Sequence, residues 1–225
     1  LSRPLAPGEH VTLRVAFETR VPRRFGPFGW IANQLTVDGG FLPRPPPLDP
    51  QGFHPDAPPA RLSWRMTVGW EGEASADLVV NGRHAALGPG SQPLQLHGVD
   101  DRISMTLIVG ATVSRFTHAG LRFRFIHRRS RCHGGARSGL LDFGCIDAHA
   151  EVLASCAASL AWYTGGGGQV SADEIVLVEV PLRRDLAMSA PGMVLVSDRT
   201  FEFLPIERAF KFHRIALIRA LFGVV

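Results

Sequence analysis

EIVLVEV at residues 174–180 and MVLVS at residues 193–197 decide how this chain is read. Both are short, unbroken apolar runs, the first capped by Pro181, and this is the pattern of interior strands. Working outward, Leu140 to Trp162 places Ile146, Leu153, Ala157 and Leu160 at helical spacing and stops at Gly165–Gly168. Past the second run, a helix from about Pro205 carries Phe210, His213, Leu217 and Leu221 on one face. Helix, strand, strand, helix predicts an α+β unit over residues 132–225. Its last helix has no C-cap, so the domain is expected to continue past Val225.

The first half has a different character. EHVTLRVAFETRV, residues 9–21, alternates Val11, Leu13, Val15 and Phe17 with polar residues, the period-two signature of a half-buried strand. Pro22 to Ala60 is so dense in proline and glycine that it predicts a long connection rather than regular elements. Strands are then expected at Arg61–Trp70, at Ala76–Val80 ending in the turn pair Asn81-Gly82, at Asp101–Val109 and at Leu121–His127. The arginine- and glycine-rich RRSRCHGGARSG that follows has no periodicity. It predicts a boundary between an antiparallel β domain, residues 1–131, and the α+β unit, residues 132–225.

The 225 residues are 45% hydrophobic, enough for a sizeable core. Leu1 to Gly8 lacks the basic stretch and apolar run of a targeting peptide, so the true N-terminus is expected upstream. The most apolar stretch, Ile215–Val225, is short and interrupted by Arg219, so no membrane span is expected and the chain reads as soluble. Three cysteines, Cys132, Cys145 and Cys156, make an odd count without CxxC spacing, against both a zinc knuckle and a disulfide framework. The net charge is +4, and Lys211 is the only lysine. The densest basic cluster, Arg122, Arg124, Arg128, Arg129 and Arg131 with His127 and His133, lacks interleaved aromatic platforms. It is expected to be a solvated strand end, and nucleic acid is excluded as a partner.

Taken in order, RPLAPGEHVTLRVAFETRVPRRFGPFG, PRPPPLDPQGF, WRMTVGW and VVNGR resemble the zinc aminopeptidases of the M1 type. The resemblance implies a saddle-like N-terminal β domain and the opening of a thermolysin-like catalytic domain. It also implies a peptide or protein substrate. That chemistry needs HExxH on a helix, where two histidines one turn apart bind zinc and the glutamate activates its water. In FHRIALIRALFG the glutamate position after His213 is Arg214 and the second histidine position is Leu217, so no catalytic residue and no metal ligand are assigned. Zinc is expected only if HExxH follows Val225. The family's GxMEN edge strand, which pairs with the peptide backbone, compares with Gly192, Met193, Val194 and Leu195, where Val194 replaces the amine-binding glutamate. Two readings stay open: the front part of a zinc metallopeptidase, or a degenerate relative that binds a peptide or protein without cleaving it.

Other constellations carry less. Gly165–Gly168 precede a strand rather than a helix N-terminus, which argues for a loop and against a phosphate cradle. Asp142, Asp147 and His149 do not share a helix face at i,i+4 spacing. Ser197-Asp198-Arg199 ends a buried strand, where polar residues serve either an active cleft or a cap. Trp30, Phe41 and Phe53 in the proline-rich loop are expected to pack back on the β domain.

Overall fold

The computed structural model describes residues 9, 11–12, 14–43, 48–49, 52–53, 61–118, 121–128, 174–201 and 207–222. Strands dominate these residues. They are β1 (Phe28–Ile31), β2 (Gln34–Asp38), β3 (Leu48–Asp49), β4 (Gly52–Phe53), β5 (Leu62–Val68), β6 (Ala76–Val80) and β7 (Arg83–Leu87). Further on lie β8 (Leu94–Asp100), β9 (Ser104–Val109), β10 (Ala111–His118), β11 (Leu121–Arg128), β12 (Ile175–Val180), β13 (Ala187–Ala190) and β14 (Met193–Ser197). One α-helix, α1 (Glu207–Phe222), follows a short 3-10 turn at Asp198–Phe201. The described part is mainly β with antiparallel pairing prevailing, as expected for residues 1–131; of the helix-strand-strand-helix unit expected after it, the two strands and the last helix are present, and the helix predicted over Leu140–Trp162 lies outside the described residues.

Two five-stranded sheets form the body, in the orders β1-β2-β9-β6-β7 and β10-β11-β12-β14-β13. The first is antiparallel throughout, whereas β12 runs parallel to both β11 and β14 in the second. Alternation along each strand sends neighbouring side chains to opposite faces. Val79 and Ile108 point to one face of the first sheet and join Ile126, Val176, Val178, Val180 and Leu195 of the second in one core. Leu78 and Leu107, one residue away, point to the other face and pack with Leu96, Trp64, Met66 and Trp70 from the β5–β8 ribbon. The ribbon thus covers one face of the first sheet and the second sheet covers the other. Each fully buried aliphatic side chain in these layers contributes about 1.5–3 kcal/mol relative to exposure.

Several expectations change here. Val11, Val15 and Phe17 are 45%, 61% and 51% exposed, and the described residues of 9–21 form no strand, because no other strand pairs with them. Alternation prepares a strand, but only a hydrogen-bonded neighbour makes one. The connection expected over Pro22–Ala60 instead holds the β1–β2 hairpin, turned on Ala32 and Asn33 at φ 50° and 61°. β11 and β12 lie on either side of the boundary expected at residue 131, and they are hydrogen-bonded neighbours in one sheet. Finally, β12 and β14 are interior strands as their composition demands, while small, short β13 passes outside β14 and takes the sheet edge.

Candidate functional site

The edge at β13 is built by two stacked turns. Val80-Asn81-Gly82-Arg83 joins β6 to β7 with Asn81 and Gly82 at φ 45° and 76°, the conformation that the Asn-Gly pair favours. Ala190-Pro191-Gly192-Met193 joins β13 to β14, with Pro191 and Gly192 in the central positions and Gly192 at φ 66°. The turns touch so closely that a Cβ on Gly192 would lie 2.5 Å from the Asn81 carbonyl oxygen, and a Cβ on Gly82 would overlap that of Gly192. Asn81 locks the arrangement. Its Nδ2 donates to Asp100 Oδ2 at 2.7 Å and to the Arg102 carbonyl at 3.0 Å, and its Oδ1 accepts from the Ser104 N–H at 2.7 Å. Trp64 Nε1 donates to the same Asp100 oxygen at 2.9 Å.

Arg102 then reaches across the seam. Its Nε donates to Asp38 Oδ1 at 3.0 Å, and its Nη2 donates to the Ser189 carbonyl at 3.1 Å. The Ser197 N–H donates to the Leu186 carbonyl at 2.9 Å, and antiparallel alternation then points the N–H and C=O of Ala187 and Ser189 away from β14. The Arg102 bond to Ser189 fits that polarity. Beside this backbone edge lies a groove of about 420 Å³ lined by Arg61, Asp100, Asp101, Arg102, Ser189, Ala190 and Pro191. Next to it is an apolar cavity of about 200 Å³ walled by Phe41, Leu42, Leu62, Trp64 and Ile103, with Asp100, Asp101 and Arg102 lining both.

A second cluster sits where the three parallel strands end, at Arg128, Glu179 and Asp198. Glu179 and Asp198 are each 2% exposed. Arg128 Nη2 contacts Glu179 Oε1 at 3.3 Å and Asp198 Oδ2 at 3.1 Å, its backbone N–H donates to Glu179 Oε2 at 3.0 Å, and Arg183 Nη1 donates to Asp198 Oδ1 at 2.8 Å. Buried carboxylates need such partners, and here two guanidiniums supply them. Gln34 Nε2 donates to the Glu179 carbonyl, which ties the first sheet to the same point. Arg183 also lies 3.7 Å above the Phe25 ring. Ser197 Oγ donates to the Leu182 carbonyl and accepts from the Arg199 N–H, both at 3.2 Å, so Ser197-Asp198-Arg199 closes the strand end rather than opening a cleft.

Of the basic cluster expected to be solvated, Arg122 is exposed, whereas Arg124, His127 and Arg128 are structural. Arg124 Nη2 pairs with Glu174 Oε2 at 2.6 Å, and its Nη1 lies 3.4 Å from His84 Nδ1, whose Nε2 meets Asp77 Oδ1 at 2.7 Å. His127 stacks on Phe125 with ring centroids 5.1 Å apart, and Ser114 Oγ lies 3.3 Å from its Nε2. Burial pushes the His127 pKa below its ordinary 6.5, against an opposing hydrogen bond to the Arg128 carbonyl. Arg129, Arg131, His133, Asp142, Asp147, His149, Gly165–Gly168 and the three cysteines lie outside the described residues.

Gly192, Met193, Val194 and Leu195 occupy the β13–β14 turn and β14 itself. Met193, Val194 and Leu195 are fully buried, and β14 has β12 on one side and β13 on the other, so its main chain is already paired. The edge expected there belongs to Ala187–Ala190, a stretch too short and too small-sided to announce itself as a strand. The residues of α1 do not fit zinc. Leu217, at the second histidine position, is 2% exposed and packs inward with Ala220 and Leu221, and Arg214 stands at the glutamate position. The expectation that the His213 side chain packs near the core lies outside the described residues. Among the described residues no three His, Cys, Asp or Glu side chains converge as a metal site, and no helix is long and apolar enough to cross a membrane. Of the loop aromatics, Phe41 lines the apolar cavity, Trp30 is 37% exposed, and the Phe53 side chain lies outside the description. Comparison with protein-family models and with curated proteins yields no match.

Proposed function

We propose that this chain binds an extended peptide, or an extended segment of a partner protein, along the outer edge of β13 and does not cut it. The observation that carries the reading is the outward-facing Ser189 of β13 on the wall of the groove, where its N–H points away from β14 and its carbonyl already accepts from Arg102. Strand addition uses main-chain groups for affinity and neighbouring pockets for selection, and a sheet edge beside a groove offers both. Kinship with M1-type peptidases is part of the proposal. The order of interior strand, edge hairpin and packed helix supports it, as do the phrases quoted from the sequence.

Ser189→Pro tests the site. Proline removes the outward N–H without touching a bond to β14, so the sheet should persist while peptide affinity falls at least tenfold. Unchanged affinity in fluorescence polarisation, with circular dichroism confirming the fold, would remove β13 from the binding site. The other reading is peptide hydrolysis by an M1-like zinc enzyme whose metal ligands follow Val225. The same element order favours it, and an HExxH helix in the sequence after Val225 is the result that would carry it.

A further inference from the structure

We infer that the groove selects peptides carrying one bulky apolar side chain, phenylalanine or leucine in kind, which enters the cavity between Phe41, Leu62, Trp64 and Ile103 while the backbone lies on β13. This rests on the edge-binding reading and adds the chemistry of the occupant. Three features point to it. The cavity, about 200 Å³, is somewhat larger than the roughly 150 Å³ apolar cavity that takes a benzene ring, so one large side chain fills it. Its mouth leaves Leu42 and Leu62 38% and 42% exposed, apolar surface that a partner would cover. It adjoins the groove at β13, since Asp100, Asp101 and Arg102 line both.

The shared rim also bears on the residues flanking that side chain. Asp100 and Asp101 stand against Arg61 and Arg102, so the charges on the rim balance and uncharged flanking residues suit it. Trp64 is well placed to be the fixed wall, since its indole N–H is committed to Asp100 and its ring cannot turn away without breaking that bond.

Blocked hexapeptides of alternating threonine and valine, with phenylalanine at each position in turn and serine as the control, provide the test. Intact protein should bind the best phenylalanine peptide at least tenfold more tightly than its serine partner. Leu62→Glu, at a partly exposed position, should abolish that preference without weakening the serine peptide, while Ser189→Pro should weaken both. Toluene offers a readout independent of β13, since it has no backbone to pair; it should shift the methyl resonances of Leu42, Leu62 and Ile103. If both peptides bind equally, remain sensitive to Ser189→Pro, and toluene shifts nothing, the pocket inference is wrong and the edge reading stands. If no peptide binds, both fall, even where toluene occupies the cavity.

Discussion

The two faces of the first sheet are packed by different chemistry. Under the β5–β8 ribbon, contact is mainly apolar, with Leu78, Val80, Leu96 and Leu107 against Trp64, Met66 and Trp70, and a polar tie from Asn81 to Asp100 at its end. Against the second sheet, an equally dry centre of Val79, Ile108, Ile126 and Val178 is flanked by polar staples: Gln34 with Arg128, Glu179 and Asp198, Arg102 with Asp38 and Ser189, and the Arg124, His84 and Asp77 series. The apolar face tolerates many arrangements of similar volume. The stapled face accepts one register, because a displaced sheet would strand buried charges. The candidate site lies where the ribbon and the stapled seam meet, at Trp64, Asp100 and Arg102.

Cutting the chain is the strongest way to break that comparison. Ending it after residue 131 removes β12, β13 and β14 and uncovers Phe123, Phe125 and Ile126. Such a fragment should aggregate, and a soluble fragment with sharp thermal unfolding would mean that the stapled face is dispensable. Among point changes, Arg128→Ala takes the guanidinium from buried Glu179 and one of two from Asp198, and should cost about 3–5 kcal/mol in urea unfolding. Most of that loss should return when Glu179→Gln is added, since a neutral amide needs no guanidinium. Leu78→Ala on the apolar face should cost about 3 kcal/mol, and no charge change should restore it.

Gly192→Ala probes the join between the faces. Its Cβ would meet the Asn81 carbonyl at 2.5 Å from a positive-φ backbone, and a loss of about 1–3 kcal/mol is expected. A neutral result would mean that the two turns separate freely. The smallest effect concerns protons. With its folded pKa lowered by burial, His127 holds fewer protons in the native state than in the unfolded state as pH falls through 6.5. Its contribution to stability is therefore complete above that pH and declines below it. The thermal midpoint of His127→Phe should fall less between pH 7.5 and pH 5 than that of the parent; parallel curves would remove His127 from the acid response.

Much of this fold can be read from local pattern. The apolar runs at 175–180 and 193–197 mark interior strands, and Asn81-Gly82 marks a hairpin turn. Apolar stretches at Ala76–Val80 and within Asp101–Val109 mark strands, and the spacing of Leu217 and Leu221 marks the inner face of α1. Each is a statement about one element, and a single stretch of sequence contains it. The absence of an HExxH pair in FHRIALIRALFG is equally local.

Tertiary structure decided which strands are neighbours. The described residues of 9–21 alternate cleanly and form no strand, while Ala187–Ala190, with little strand character, becomes the sheet edge because a tight Pro191-Gly192 turn lays it against β14. The groove draws on residues 39–43, 61–64, 100–103 and 189–191, which no spacing rule connects. Arg128 looked like solvated charge until two carboxylates from distant strand ends closed around it. Periodicity records the faces of an element. Hydrogen-bond partners and the burial of charge depend on segments far apart in sequence, and those only the folded chain brings together.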